Sequence, residues 1–317
     1  MPRKVVIDCD PGIDDAFALA LALFDPRLEV LAVTACSGTI EAERSTQNIQ
    51  SIIERLDPPR HPRIGAATDP DDAPIGDGRS LHGEDGLGNC ELPPVARQHV
   101  VASEKLIADC LRANPGEVTI LCLGPLTGVA RAFQRDPALH NVVDRIVIAG
   151  GALNGIGDVT AVAEFNMHFD PVSAAAVIRS PTTKTLVPLE ISTQMNFGLD
   201  LIDQLPPKYT RVGALLHPML PYYFRMLRQN RAQEMVSFKS LTALLLVTEP
   251  MLFESQEQFV EIEEQGLLTR GETFVDQRGF SLPRRNCEVV TSLDVDSARD
   301  CIINAIRFAG HSSGEVA

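Results

Sequence analysis

The sequence predicts an α/β fold: a single domain with a mainly parallel central sheet flanked by helices on both faces. Two observations carry that reading. Apolar, β-branched runs alternate with helix-forming runs over most of the 317 residues, the order that builds parallel strands through helical crossovers. No composition shift or repeat marks a boundary, so residues 1–310 are expected to form one domain and 311–317 a frayed tail. A hydrophobic content of 44% is ample for one large core.

The first element is Val5-Val6-Ile7, which reads as a buried strand. Pro11 and Gly12 break it. From Asp14 onward, Ala16 to Leu23 holds strong helix formers and almost no polar face, so it reads as a buried helix. Leu28 to Cys36 is a second strand, closed by the turn Ser37-Gly38-Thr39, and Glu41 to Leu56 is an amphipathic helix. Residues 57–94 are rich in Pro, Gly and Asp with little periodicity, and a loop of that length is expected to be functional or mobile. Val100 to Arg112 reads as helix and Glu117 to Leu123 as a third strand, after which Gly124-Pro125-Leu126-Thr127 opens a helix through Phe133. Val142 to Ala149 is a fourth strand, Asp170-Pro171 starts a helix to Arg179, and Lys184 to Leu189 is a fifth strand. Leu205 to Asn230 reads as helix interrupted at Pro218 and Pro221, and Leu241 to Val247 as a short apolar helix. Phe259 to Glu263 and Glu272 to Asp276 read as a hairpin of edge strands. Val289 to Leu293 is a last strand and Val295 to Phe308 a closing helix.

Composition excludes some classes of function. A net charge of −14 argues against nucleic-acid phosphates and anionic membranes as partners. No apolar stretch reaches the length of a membrane span, and the first apolar run follows acidic residues where a signal peptide has basic ones. The seven cysteines are odd in number and scattered, which fits buried free thiols in a reducing cytoplasm.

The chemistry concentrates where the first strand ends and the first helix begins. Asp8, Asp10, Asp14 and Asp15 fall within eight residues there, the place where open α/β sheets bind ligands. Two unit charges about 4 Å apart repel by roughly 4 kcal/mol at an effective dielectric near 20. A helix N-terminus returns only about 0.3–1 kcal/mol per carboxylate. The cluster therefore calls for a cation or for raised pKa values, and oxygen ligands without His or Cys favour Ca²⁺ or Mg²⁺. The plainer alternative is an acidic turn with Asp14 as an N-cap. An EF-hand loop starting at Asp8 fails because Leu19 stands where Glu is required. A haloacid-dehalogenase-type phosphatase fails because Gly12 stands where Thr is required.

A second constellation is Ala163-Glu164-Phe165-Asn166-Met167-His168-Phe169-Asp170-Pro171. In an extended segment Glu164 and Asn166 share a side, and an acceptor beside a donor suits neighbouring hydroxyls of a polyhydroxylated ligand. The alternative is a polar loop capped by Asp170. Between the two constellations lies His82-Gly83-Glu84-Asp85-Gly86-Leu87-Gly88; a lone His in such a loop is more often a surface residue than a catalytic one.

The string Asp8-Cys9-Asp10-Pro11-Gly12-Ile13-Asp14-Asp15-Ala16 resembles the signature of the calcium-dependent, inosine–uridine-preferring nucleoside hydrolases. The Gly-Pro-Leu-Thr segment, the His-Gly segment and Ala-Glu-Phe-Asn extend the likeness in order over roughly residues 3–300. The resemblance implies a Rossmann-like fold, a Ca²⁺ cofactor and hydrolysis of the N-glycosidic bond of ribonucleosides. It implies Asp10, Asp15 and the backbone carbonyl of Leu123 as calcium ligands, with Asp10 also taking a proton from the attacking water. Asp14 and Asn166 would grip the ribose 2′- and 3′-hydroxyls, and Glu164 the 5′ side. Asp8 would orient the loop, and His82 is a catalytic candidate. Thr39 and Asp158 stand at two positions where the family has Asn, so both become substrate-binding candidates. Relatives are commonly dimers or tetramers, so a homo-oligomer is expected.

One departure stands out. The family's His-Asp pair, whose Asp is normally a calcium ligand, falls on Lys239-Ser240. Ser240 can offer only a neutral oxygen, so two carboxylates remain where relatives have three, and calcium affinity follows ligand charge. A second reading is therefore a diverged relative that binds a ribosylated small molecule with little turnover. A third is hydrolysis of a different N-riboside, with Lys239 or His82 facing the leaving group.

Overall fold

The computed structural model describes residues 1–71, 77–93, 95, 100–276 and 284–316. Strands β1 (Arg3–Cys9), β2 (Leu28–Ala35), β3 (Arg63–Ala66), β4 (Val101–Ala102), β5 (Val118–Cys122), β6 (Arg145–Ala149) and β7 (Lys184–Val187) belong to one central sheet. Two short strands, β8 (Asn196–Phe197) and β9 (Val236–Ser237), form a separate two-stranded antiparallel sheet. Then come β10 (Phe253–Gln258), β11 (Val260–Ile262), β12 (Thr273–Val275) and β13 (Cys287–Leu293). The central sheet runs β10-β13-β7-β6-β5-β1-β2-β3-β4. All its described pairings are parallel except β10 with β13. The chain leaves β1 in one direction through β2, β3 and β4, then returns to β5 on the other side of β1 and continues outward. The order therefore reverses between β1 and β5, and a crevice opens at the C-terminal ends of those two strands.

The helices are α1 (Ile13–Ala22), α2 (Ala42–Leu56), α3 (Arg79–His82), α4 (Ser103–Ala113), α5 (Thr127–Arg135) and α6 (Phe165–Phe169), then α7 (Pro171–Arg179), α8 (Leu189–Ser192), α9 (Leu201–Gln204), α10 (Arg211–Arg231), α11 (Lys239–Thr248) and α12 (Val295–Ser312). Alternation along β1 feeds two cores. Val5, Ile7 and Cys9 pack against residues of α1, α2, α10, α11 and α12, while Val6 packs with α4, α5 and α7. The expected two-faced α/β domain is thus the observed one.

Several elements differ from the sequence reading. β3 lies inside the stretch expected to be loop; with four residues and a single large apolar side chain it is too short to show a period. Residues 72–76 and 94 of that stretch lie outside the described residues. The hairpin of β11 and β12 forms as expected, but as a separate two-stranded sheet. The central sheet's edge strand beside β13 is β10, whose sequence Phe-Glu-Ser-Gln-Glu-Gln is polar because its residues are mostly exposed. Helix α10 runs unbroken through Pro218 and Pro221. Both prolines face solvent, where water can serve the carbonyls they leave unpaired, while Leu216, Leu220 and Leu227 anchor the buried face. The tail does not fray over its described part: α12 continues to Ser312, Ser313 is buried, and Val316 N–H donates to the Tyr209 carbonyl at 2.8 Å. Ala317 lies outside the described residues.

Candidate active site

The crevice between the ends of β1 and β5 is a cavity of about 660 Å³. Asp10, Asp14, Asp15, Thr39, His82, Leu123, Asp158, Asn166 and Lys239 all line it. Asp10 leaves the end of β1, and Asp14 and Asp15 occupy the first turn of α1. Backbone crowds Asp10: a Cβ on Gly38 would lie 2.2 Å from its Oδ2, and one on Gly124 would lie 2.4 Å from its Oδ1. That close approach explains the glycine in the Ser-Gly-Thr turn and the one opening Gly-Pro-Leu-Thr.

The carboxylates are held but not neutralised. Asp10 Oδ2 accepts from Thr39 N–H at 2.6 Å and from Thr39 Oγ1 at 3.0 Å. Burial, then repulsion from Asp14, pushes Asp10 up to about 7. Asp15 Oδ1 accepts from the Ser240 hydroxyl at 2.6 Å, and Asp14 Oδ2 lies 3.2 Å from the same hydroxyl. Burial, with Asp14 and Asp10 adding to it, holds Asp15 well above the carboxylate range. Among the described residues no Lys, Arg or His forms an ion pair with any of these three.

Asp8 stands apart. Its Oδ1 accepts from Thr34 Oγ1 at 2.5 Å, a Cβ on Gly128 of α5 would lie 3.5 Å from the same oxygen, and Asp8 does not line the cavity. Its Oδ2 has no partner among the described residues, and burial pushes the group up to about 7. Among the described residues its side chain makes no hydrogen bond to the loop it was expected to orient.

The Glu164–Asn166 segment is not extended. Glu164 is the N-cap of α6, and its Oε2 accepts from the N–H groups of Gly151, Asn166 and Met167. Asn166 Nδ2 donates to the carbonyls of Leu123 (2.8 Å) and Ala149 (2.9 Å), tying the ends of β5 and β6 together. The other Glu164 oxygen is taken by Lys239, whose Nζ lies 2.7 Å from Oε1 and 3.1 Å from Asp158 Oδ2. Burial pulls the Lys239 pKa down, but Asp158 and Glu164 outweigh it and hold the ammonium well above its ordinary value. Glu164 is 0% exposed and does not line the cavity; Lys239 does.

His82 is buried, not a surface residue. Its Nδ1 accepts from Ile13 N–H at 2.9 Å, serving one of the unpaired donors of the α1 N-terminus. The remaining proton therefore sits on Nε2. The ring stacks on Tyr223 at 5.2 Å, and burial lowers its pKa to about 4. Sequence reasoning passed over Tyr223, Leu227 and Arg231, which also line the cavity. Their i, i+4, i+8 spacing along α10 was the available signal.

The oxygen donors suit a hard divalent cation. Asp10 and Asp15 are buried carboxylates with raised pKa values, and a cation would relieve both. Among the described residues no three His, Cys, Asp or Glu side chains form a ready-made cage. The set is completed by neutral oxygens, the Leu123 carbonyl and the Ser240 hydroxyl. Ser240 is in the first turn of α11 but is not its N-cap, which is Phe238.

An acidic, oxygen-lined cleft at the switch point of an α/β sheet is a setting suited to metal-assisted hydrolysis. The chain belongs to the inosine-uridine preferring nucleoside hydrolase family, whose model matches residues 5–300. It is 33% identical over 306 residues to the non-specific ribonucleoside hydrolase RihC of Salmonella enteritidis, covering 96% of this chain and 98% of that protein. Among solved structures it is similar to a plant nucleoside hydrolase at 26% identity and a TM-score of 0.87, covering 96% and 99% of the two chains. A purine-preferring ribonucleoside hydrolase from Gardnerella vaginalis shares the fold, with a TM-score of 0.90 at 23% identity over 98% and 100% of the two chains. Members of the family cleave N-ribosyl bonds and are generally metal-dependent. No helix among the described residues is long and apolar enough to cross a membrane.

Proposed function

We propose that this protein hydrolyses the N-glycosidic bond of ribonucleosides to ribose and free base, with a calcium ion held by Asp10, Asp15, the Leu123 carbonyl and the Ser240 hydroxyl. The observation that carries the reading is the buried, unneutralised carboxylate cluster at the sheet's switch point. Bound calcium would lower the pKa of the attacking water and fix its position. Asp10, pinned through Oδ2 by Thr39, is oriented to take the water's proton. Asp14 and Asn166 engage the ribose hydroxyls. The same carboxylates stabilise the positive charge that develops on the sugar as the base departs. His82, neutral and with Nε2–H available, donates a hydrogen bond to the departing base.

A nucleoside panel assayed for ribose release, with calcium and with chelator, tests this. Ribose release from uridine or inosine that stops with chelator is expected, with 2′-deoxyuridine poor because the half-buried Asp14 carboxylate loses its hydroxyl partner. Release that is absent, or indifferent to chelator, overturns it. The second reading, a relative that binds a ribosylated molecule with little turnover, is favoured by Ser240 standing where a third carboxylate would strengthen the metal site. The seven free cysteines fit a cytoplasmic location, and the resemblance favours a homodimer or homotetramer, which sizing chromatography reads.

A further inference from the structure

We propose that Lys239, and not Glu164, contacts the substrate at the end of the cavity that receives the ribose 5′ side, so that this protein reads the 5′-oxygen as a hydrogen-bond acceptor and takes 5′-O-alkyl ribonucleosides as readily as free ones. The inference rests on the nucleoside reading above and adds the substrate class. Glu164 has no accessible surface and no free oxygen: Oε2 serves three backbone N–H groups and Oε1 serves Lys239. Lys239 lies over it and faces the cavity. An ammonium has three N–H donors. Glu164 takes one and Asp158 another, so one remains for a ligand. A site built on an exposed carboxylate would demand a hydroxyl that donates. A site built on a fixed ammonium demands only an oxygen that accepts, and an ether oxygen does that as well as a hydroxyl. The surroundings suit an alkyl group. Ile156 and Val159 flank Asp158 in the chain, line the same cavity and are 74% and 39% exposed.

The test compares uridine, 5′-O-methyluridine and 5′-deoxyuridine, by calorimetric dissociation constant and by kcat/KM for ribose release. The expected order is uridine and 5′-O-methyluridine within about threefold, and 5′-deoxyuridine weaker by about tenfold or more, the range of a hydrogen bond to a charged group. Lys239→Met alone would bury an unpaired Glu164 and endanger folding, so the variant is the double substitution Lys239→Met with Glu164→Gln. It is expected to bind uridine and 5′-deoxyuridine alike. Rejection of 5′-O-methyluridine by about tenfold, equal binding of all three by the wild type, or undiminished discrimination by the double variant overturns the proposal. Absence of ribose release from uridine sinks the hydrolase reading by itself, since the dissociation constants still rank the three. Failure of all three to bind overturns both.

Discussion

Substituting Ser240→Asp should weaken the metal-free protein and strengthen the metal-bound one, and the size of each effect follows from the site. The Ser240 hydroxyl is buried and lies 2.6 Å from Asp15 Oδ1 and 3.2 Å from Asp14 Oδ2. A carboxylate at that position lies about 4 Å from two others, and each pair repels by roughly 4 kcal/mol at an effective dielectric near 20. The new group can escape by taking a proton. At neutral pH that costs about 4 kcal/mol, three pKa units at 1.36 kcal/mol each, which caps the destabilisation. At roughly 2 °C per kcal/mol for a chain of this size, Tm in chelator should fall by about 5–10 °C. With calcium the sign reverses. A third charged ligand should tighten the dissociation constant by about tenfold to a hundredfold, in line with the dependence of affinity on ligand charge. The assay is a calorimetric calcium titration of wild type, Ser240→Asp and Ser240→Asn, the last keeping the shape without the charge, alongside melting curves in chelator and in calcium. Identical calcium dissociation constants for wild type and Ser240→Asp would refute the reasoning, because Ser240 would then not face the metal.

Two further outcomes are expected. Asp10→Asn should lower turnover by about 10²–10⁴-fold, the usual contribution of a general base, while nucleoside binding changes far less; a mutant within about tenfold of wild type contradicts the assignment. Stability should also depend on pH with a definite sign. The folded protein raises Asp8 and Asp10 from 3.8 to about 7 and raises Asp15 as well, so it holds these protons more tightly than the unfolded chain. The stability they contribute is complete below the unfolded value and is lost as pH rises through the folded one. Scanning fluorimetry in chelator should show Tm falling between about pH 5 and pH 8, and calcium should raise Tm more at the higher pH, where it meets no competing proton. A flat profile, or a larger calcium effect at low pH, would rule this out.

The sequence by itself determined the class of fold, the switch-point acidic cluster and the family. These are local facts: β-branched runs, helix formers, and four aspartates crowded at one strand end. It also located the departure at Lys239-Ser240. The short strand β3, the polar edge β10 and the unbroken α10 escaped it, because pairing and burial across the fold decided them against weak local signals. Only the tertiary structure decided what the departure does. Lys239 meets Glu164 across 75 residues of chain, and Ser240 meets Asp15 across 225. No spacing rule reaches that far, since loop length sets no constraint on which side chain arrives. The sequence could say that a carboxylate was missing from the cluster. That a lysine ammonium had covered Glu164 and taken its place in the cavity was settled by packing alone, because only there do three elements, the β6–α6 connection, α6 and α11, bring their charges within hydrogen-bond distance.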